Sequence, residues 1–154
     1  MNETQDAEMI RQTVREGYAE VALKPPSGGC CGPTKGATPA SSPEDFAAQL
    51  GYSDDQLALL PDGSNMGLSC GNPTAIAALQ PGQVVVDLGS GGGLDCFLAG
   101  PKVGPTGRVI GVDMTAEMLT RARQNTASYS ERTGLENVEF RLGEIEHLPI
   151  ADGT

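Results

Sequence analysis

The chain has 154 residues, a formal net charge of −10, no tryptophan and few aromatic residues. That length suits a single domain, and no apolar run approaches the ~20 residues of a membrane span. Acid exceeds base and no Lys/Arg cluster occurs, which excludes a nucleic-acid surface. The N-terminus, MNETQDAEMIRQ, lacks the basic-then-apolar layout of a signal peptide, so the expected setting is the cytoplasm, where thiols stay reduced.

Residues 3–23 predict an amphipathic helix, with Ile10, Val14, Tyr18 and Val21 or Ala22 on its buried face, stopped by Pro25-Pro26. A Gly/Pro/Ser-rich linker follows and contains Ser27-Gly28-Gly29-Cys30-Cys31-Gly32-Pro33. Neighbouring cysteines are too close to pair comfortably with each other. The pair is therefore a soft-metal ligand, a redox handle or a chance occurrence. Ser42-Pro43-Glu44-Asp45 predicts a short helix ended by Gly51. Ser53-Asp54-Asp55-Gln56 predicts a capping box for a second. The loop after Pro61 holds Cys70, and Asn72-Pro73 predicts a further helix to about Leu79.

From Gln83 onward the pattern alternates. Strands are expected at 84–88, 108–113 and 137–142. Helices are expected from Leu94 to Ala99 and from a Thr115 cap to about Tyr129. Strands joined by helices imply a parallel sheet. The turn VVVDLGSGGGLD between the first strand and its helix has the context of a nucleotide-type cofactor loop: Gly89, Gly91 and Gly92 allow close backbone approach, and the helix offers unpaired N–H groups. Asp113 ends the second strand about twenty residues on, where an acid can grip ribose hydroxyls. Leu94 stands where a dinucleotide motif would have its last glycine. The acids Asp87 and Asp95 suit a cationic cofactor with an amino-acid tail, such as S-adenosylmethionine, better than a pyrophosphate. Glu144 and the Ile145 backbone fall where adenine would lie. His147, the sole histidine, is expected to be an exposed turn residue.

The stretch GLSCGNPTAIAALQPGQVVVDLGSGGGLDCFLAG, with GVDMT after it, resembles the arsenite methyltransferase family, and the likeness runs from about Val14 to the last residue. It implies a Rossmann-like α/β class I methyltransferase fold, here with the first three parallel strands and their helices behind a helical N-terminal segment. The divisions are then 1–26 for the first helix, 27–42 for the Cys-Cys linker, 43–82 for a helical cap with the Cys70 loop, and 83–154 for the first half of the cofactor domain. The resemblance implies S-adenosylmethionine as cofactor and methyl transfer to trivalent arsenic. Arsenite or its thiol conjugates would be the substrate, with glutathione or thioredoxin as reductant. Arsenic(III) is thiophilic and carries its own lone pair. Cys70 and Cys30 or Cys31 would hold it, while Cys96 is expected to be buried packing. Asp87, Gly89, Gly91, Asp113 and Met114 match the cofactor site, with Glu144, Ile145 and Glu146 along the adenine. The family continues with a fourth strand beside the first. Its absence from this sequence predicts an open edge at Val84–Leu88 and a truncated chain of little activity alone. A non-catalytic remnant that binds cofactor or metalloid or pairs with a separate C-terminal half, and a methyltransferase for another small molecule, are the alternatives.

Overall fold

The computed structural model describes residues 3–23, 47–66 and 77–154. Its elements are α1 (Glu3–Leu23), α2 (Asp54–Ala58), β1 (Val84–Leu88), α3 (Leu94–Val103), β2 (Arg108–Asp113), α4 (Ala116–Thr133) and β3 (Val138–Leu142). The three strands form one parallel sheet in the order β1-β2-β3. Leu88 lies opposite Val112, and Asp113 opposite Leu142. The carboxyl ends of all three strands therefore meet along one rim.

The core forms where α3 and α4 meet the sheet. Phe97 on α3 packs against Tyr129 of α4 (centroids 5.3 Å apart) and edge-on to Phe140 of β3 at 5.5 Å. Leu94, Cys96, Leu98, Val103, Val109, Leu119 and Ala122 complete this cluster, joined by Ala47, Tyr52 and Leu60 from the segment before the sheet. Each buried Leu or Phe side chain contributes about 1.5–3 kcal/mol relative to exposure.

The capping box at Ser53 is present. Gln56 N donates to Ser53 Oγ, and Ser53 N donates to Gln56 Oε1 at 2.9 Å. Three expectations need correction. The first concerns α1, which turns Ile10 (63% exposed), Val14 and Tyr18 (47%) outward. Its inner side is drawn down by polar bonds: Arg11 and Arg15 pair with Glu146 and Glu144, and Arg121 of α4 donates to the Ala22 carbonyl at 3.1 Å. The second concerns α3, which runs through Gly100-Pro101 to Val103 instead of stopping at Ala99. The Asn137 side-chain amide satisfies the Gly100 and Gly104 carbonyls (2.9 and 2.8 Å), and Val103 is fully buried. Third, residues 77–79 are not helical. The beginnings of the helices expected at Ser42 and Asn72 lie outside the described residues.

Among the described residues β1 pairs with β2 alone. Its alternate residues Val84, Val86 and Leu88, which share one face of the strand, are 46%, 39% and 51% exposed. The open strand expected from the sequence is therefore present. No helix among the described residues is long and apolar enough to cross a membrane.

Candidate functional site

The carboxyl rim of the sheet gathers most of the residues expected to bind a cofactor. Asp87 lies near the end of β1, Asp113 ends β2, and Glu144 follows β3. Strands in a sheet stand ~4.8 Å apart, so the three ends span roughly 10 Å. The Gly89–Gly93 turn caps the first of them. It is anchored by Gly89 N and Ser90 N, both donating to the Val112 carbonyl (2.8 and 3.1 Å).

The two sides of this turn differ. Gly92 and Gly93 are packed: a Cβ on Gly92 would lie 2.8 Å from Met66 Cε, and one on Gly93 2.6 Å from the Phe140 ring. Gly89 and Gly91 have positive φ (78° and 50°) and nothing within 4 Å of a Cβ position. Only glycine takes that backbone without strain, and the open space beside it is a cradle that side chains would fill. The α3 N-terminus follows directly, with Gly93 at its cap.

Asp113 is held by two backbone donors, Gly91 N to Oδ2 at 2.9 Å and Thr115 N to Oδ1 at 2.8 Å. Thr115 occupies the N-cap of α4 as expected, although its side chain makes no cap bond; the Asp113 carboxylate satisfies its N–H. Two hydrogen bonds leave roughly half of a carboxylate's acceptor sites free. Met114 is half-buried between these two residues.

Below the turn, the Cys96 thiol donates to Asp87 Oδ2 at 3.3 Å and is fully buried. Cys96 is thus the packing residue expected, and burial first, then the nearby Asp87, push its thiol well above the usual range. Burial also raises the Asp87 carboxyl, opposed by the Cys96 bond. Asp95, in the first turn of α3, is pushed up to about 6 by burial while accepting from Tyr52 Oη at 2.8 Å.

After β3, Gly143 N donates to the Asp113 carbonyl at 3.0 Å, and His147 N to the Glu144 carbonyl at 3.0 Å. These bonds set the Glu144 backbone beside Asp113. Ile145 is 68% exposed, and His147 is exposed as expected. Glu144 and Glu146 carry the ion pairs from α1 at 2.7 and 3.4 Å. Cys30, Cys31 and Cys70 lie outside the described residues. Among those described, no group of three or more His, Cys, Asp or Glu is set to hold a metal ion.

Sequence reasoning missed Arg15, Tyr52, Met66 and Arg121. Arg121 Nη1 reaches Met66 Sδ at 3.3 Å, and Arg132 ties the same segment to α4 through the Leu60 carbonyl and Asp62. The segment ending at Met66 is thereby seated against the glycine turn. No local pattern marks these four residues, because their partners lie far along the chain.

Comparisons with known proteins give the chain's similarities. Residues 79–154 match the family described as a methyltransferase domain. The chain is 50% identical to an arsenite methyltransferase of Halobacterium salinarum over 96% of its own length, spanning 38% of that protein. It is 49% identical to one from Aquipseudomonas alcaligenes over 50% of its length, spanning 23% of that protein. The crystal structure of an arsenic(III) S-adenosylmethionine methyltransferase from Chlamydomonas reinhardtii is 34% identical and covers 66% of this chain and 32% of its own, with a TM-score of 0.48. The chain therefore spans less than two fifths of the curated relatives it matches.

Proposed function

We propose that the chain, whose residues 79–154 match the methyltransferase domain family, is the cofactor-binding part of an arsenite methyltransferase. The observation that carries the cofactor half of this reading is the open, positive-φ side of the Gly89–Gly91 turn, in one row with Asp113 and Glu144.

The residues fit S-adenosylmethionine in a stated order. The first N–H groups of α3, which have no partner within the helix, receive the carboxylate of the amino-acid tail. Asp113, already oriented by Gly91 and Thr115, has acceptor sites left for ribose hydroxyls. Glu144 would accept from adenine, and Ile145, Glu146 and Met114 are the neighbouring residues that would hold the base. Asp87 and Asp95 offer a negative surrounding to the cofactor's cationic groups, its ammonium and sulfonium. When bound, the cofactor supplies an electrophilic sulfonium methyl group.

The substrate half rests on the cysteines. Thiolates of Cys70 and of Cys30 or Cys31 are natural ligands for trivalent arsenic, whose lone pair makes a general base unnecessary, so positioning is what the chain must contribute. Met66 lies against Gly92 of the proposed cofactor turn, and Cys70 follows Met66 by four positions, a reach of at most ~14 Å. A thiol tethered there is close enough to serve the same site. Glutathione or thioredoxin would restore the thiols. The uncovered β1 face favours a further strand beside it, from the same polypeptide or from a separate one.

The test is thiol alkylation with and without arsenite, read by peptide mass. Arsenite should slow alkylation of Cys70 and of at least one of Cys30 and Cys31, and Cys70→Ser should abolish the protection of the linker pair. Equal alkylation rates at Cys70 in both conditions would remove it as a ligand.

A further inference from the structure

Arg15 of α1 reaches across 129 positions to the end of β3, where Nη2 donates to Glu144 Oε1 at 2.7 Å. The guanidinium is also held on its own helix, Nη1 donating to Gln12 Oε1 at 3.1 Å. Both partners of this pair are largely covered, with side chains 28% and 32% exposed. The neighbouring Arg11–Glu146 pair is longer, and its carboxylate is half exposed. The Glu144 backbone is set separately, by the bonds of its neighbours Gly143 and His147. What remains free in Glu144 is its side chain, which has enough rotatable bonds to lose appreciable entropy on ordering. Arg15 removes that freedom while engaging one of the two carboxylate oxygens.

We infer that Arg15 is a positioning residue for base recognition: it holds the Glu144 carboxylate so that Oε2 accepts the exocyclic amine of adenine and refuses a base with a carbonyl in that place. The inference rests on the adenine reading of Glu144 given above. Its physical content is a donor/acceptor test. An amine donates to the fixed carboxylate, whereas a carbonyl oxygen would face it acceptor to acceptor, leaving both groups without a partner.

The experiment titrates S-adenosylhomocysteine and S-inosylhomocysteine against the wild-type chain, Glu144→Ala, Arg15→Gln, Arg15→Lys and the Arg15→Gln/Glu144→Ala double variant. The wild type should prefer the adenosyl compound by about tenfold or more, and Glu144→Ala should bring the ratio close to one. Arg15→Gln should cut the preference by about threefold or more, and the double variant should match Glu144→Ala, as expected of coupled residues. Arg15→Lys should recover part of the preference, since it keeps the charge without the planar fork. Any unfolded fraction scales both titrations alike, so the ratio separates positioning from general stability. Equal loss for both compounds in Arg15→Gln, or no loss, overturns the role of Arg15 while leaving Glu144 in place. An unchanged ratio in Glu144→Ala, or no binding by the wild type, overturns the adenine reading and this inference with it.

Discussion

Replacing Asp113 by Asn changes one atom and removes one charge at the centre of the proposed cofactor site. In the native site Oδ2 accepts from Gly91 N and Oδ1 from Thr115 N, at 2.9 and 2.8 Å. An amide has a single acceptor oxygen, so its NH2 must face one of those N–H groups donor to donor. Losing one hydrogen bond to a charged acceptor costs about 1.5–3 kcal/mol. For a chain of this size, that lowers the melting temperature by roughly 3–12 °C. The Gly91 bond also links the cofactor turn to β2, so S-adenosylhomocysteine affinity should fall as well, by about tenfold or more. Differential scanning calorimetry and equilibrium titration measure the two effects. An Asp113→Asn variant melting within about 1 °C of wild type, with unchanged affinity, would refute the view that this carboxylate organises the turn.

Two further outcomes follow from the same geometry. Burial lifts the Asp95 carboxyl from 3.8 to about 6, so the folded state holds its proton more tightly than the unfolded chain does. The stability this contributes is fully present below about pH 3.8 and is lost as pH rises through about 6. Asp95→Asn keeps an acceptor for Tyr52 and cannot ionise. It should raise the melting temperature at about pH 7 more than at about pH 4, on either side of that window, and a larger gain on the acid side would contradict the sign. Val86 is exposed on a strand that, among the described residues, pairs on one side only, and Val86→Lys should reduce concentration-dependent light scattering, since charge on an open strand opposes edge pairing. Unchanged scattering would show that β1 does not drive association.

The alternation of β-branched runs, a glycine turn and helical segments was enough to predict the three parallel strands and their two crossovers. These depend on local period and turn chemistry, which a single chain carries residue by residue. The row of acids expected to bind a cofactor was brought together for the same reason: Asp87, Asp113 and Glu144 sit at or just past strand ends, and parallel register brings strand ends together. Periodicity misled for α1. Its apolar stripe at Ile10, Val14 and Tyr18 pointed to a buried face, whereas ion pairs to Glu144 and Glu146 and the Arg121 bond to Ala22 turn that stripe outward. Helical spacing reports which residues share a face, and says nothing about what waits on the other side.

Local sequence thus settled the strands, the turn and the acids that face it, because backbone conformation there is chosen by neighbours. Only the folded chain decided that Met66 rests on Gly92, that Tyr52 bonds Asp95, and that α3 runs on through Pro101 under the Asn137 amide. Each of those contacts joins positions far apart in sequence. Packing and hydrogen-bond satisfaction select them, and both are properties of the assembled interior.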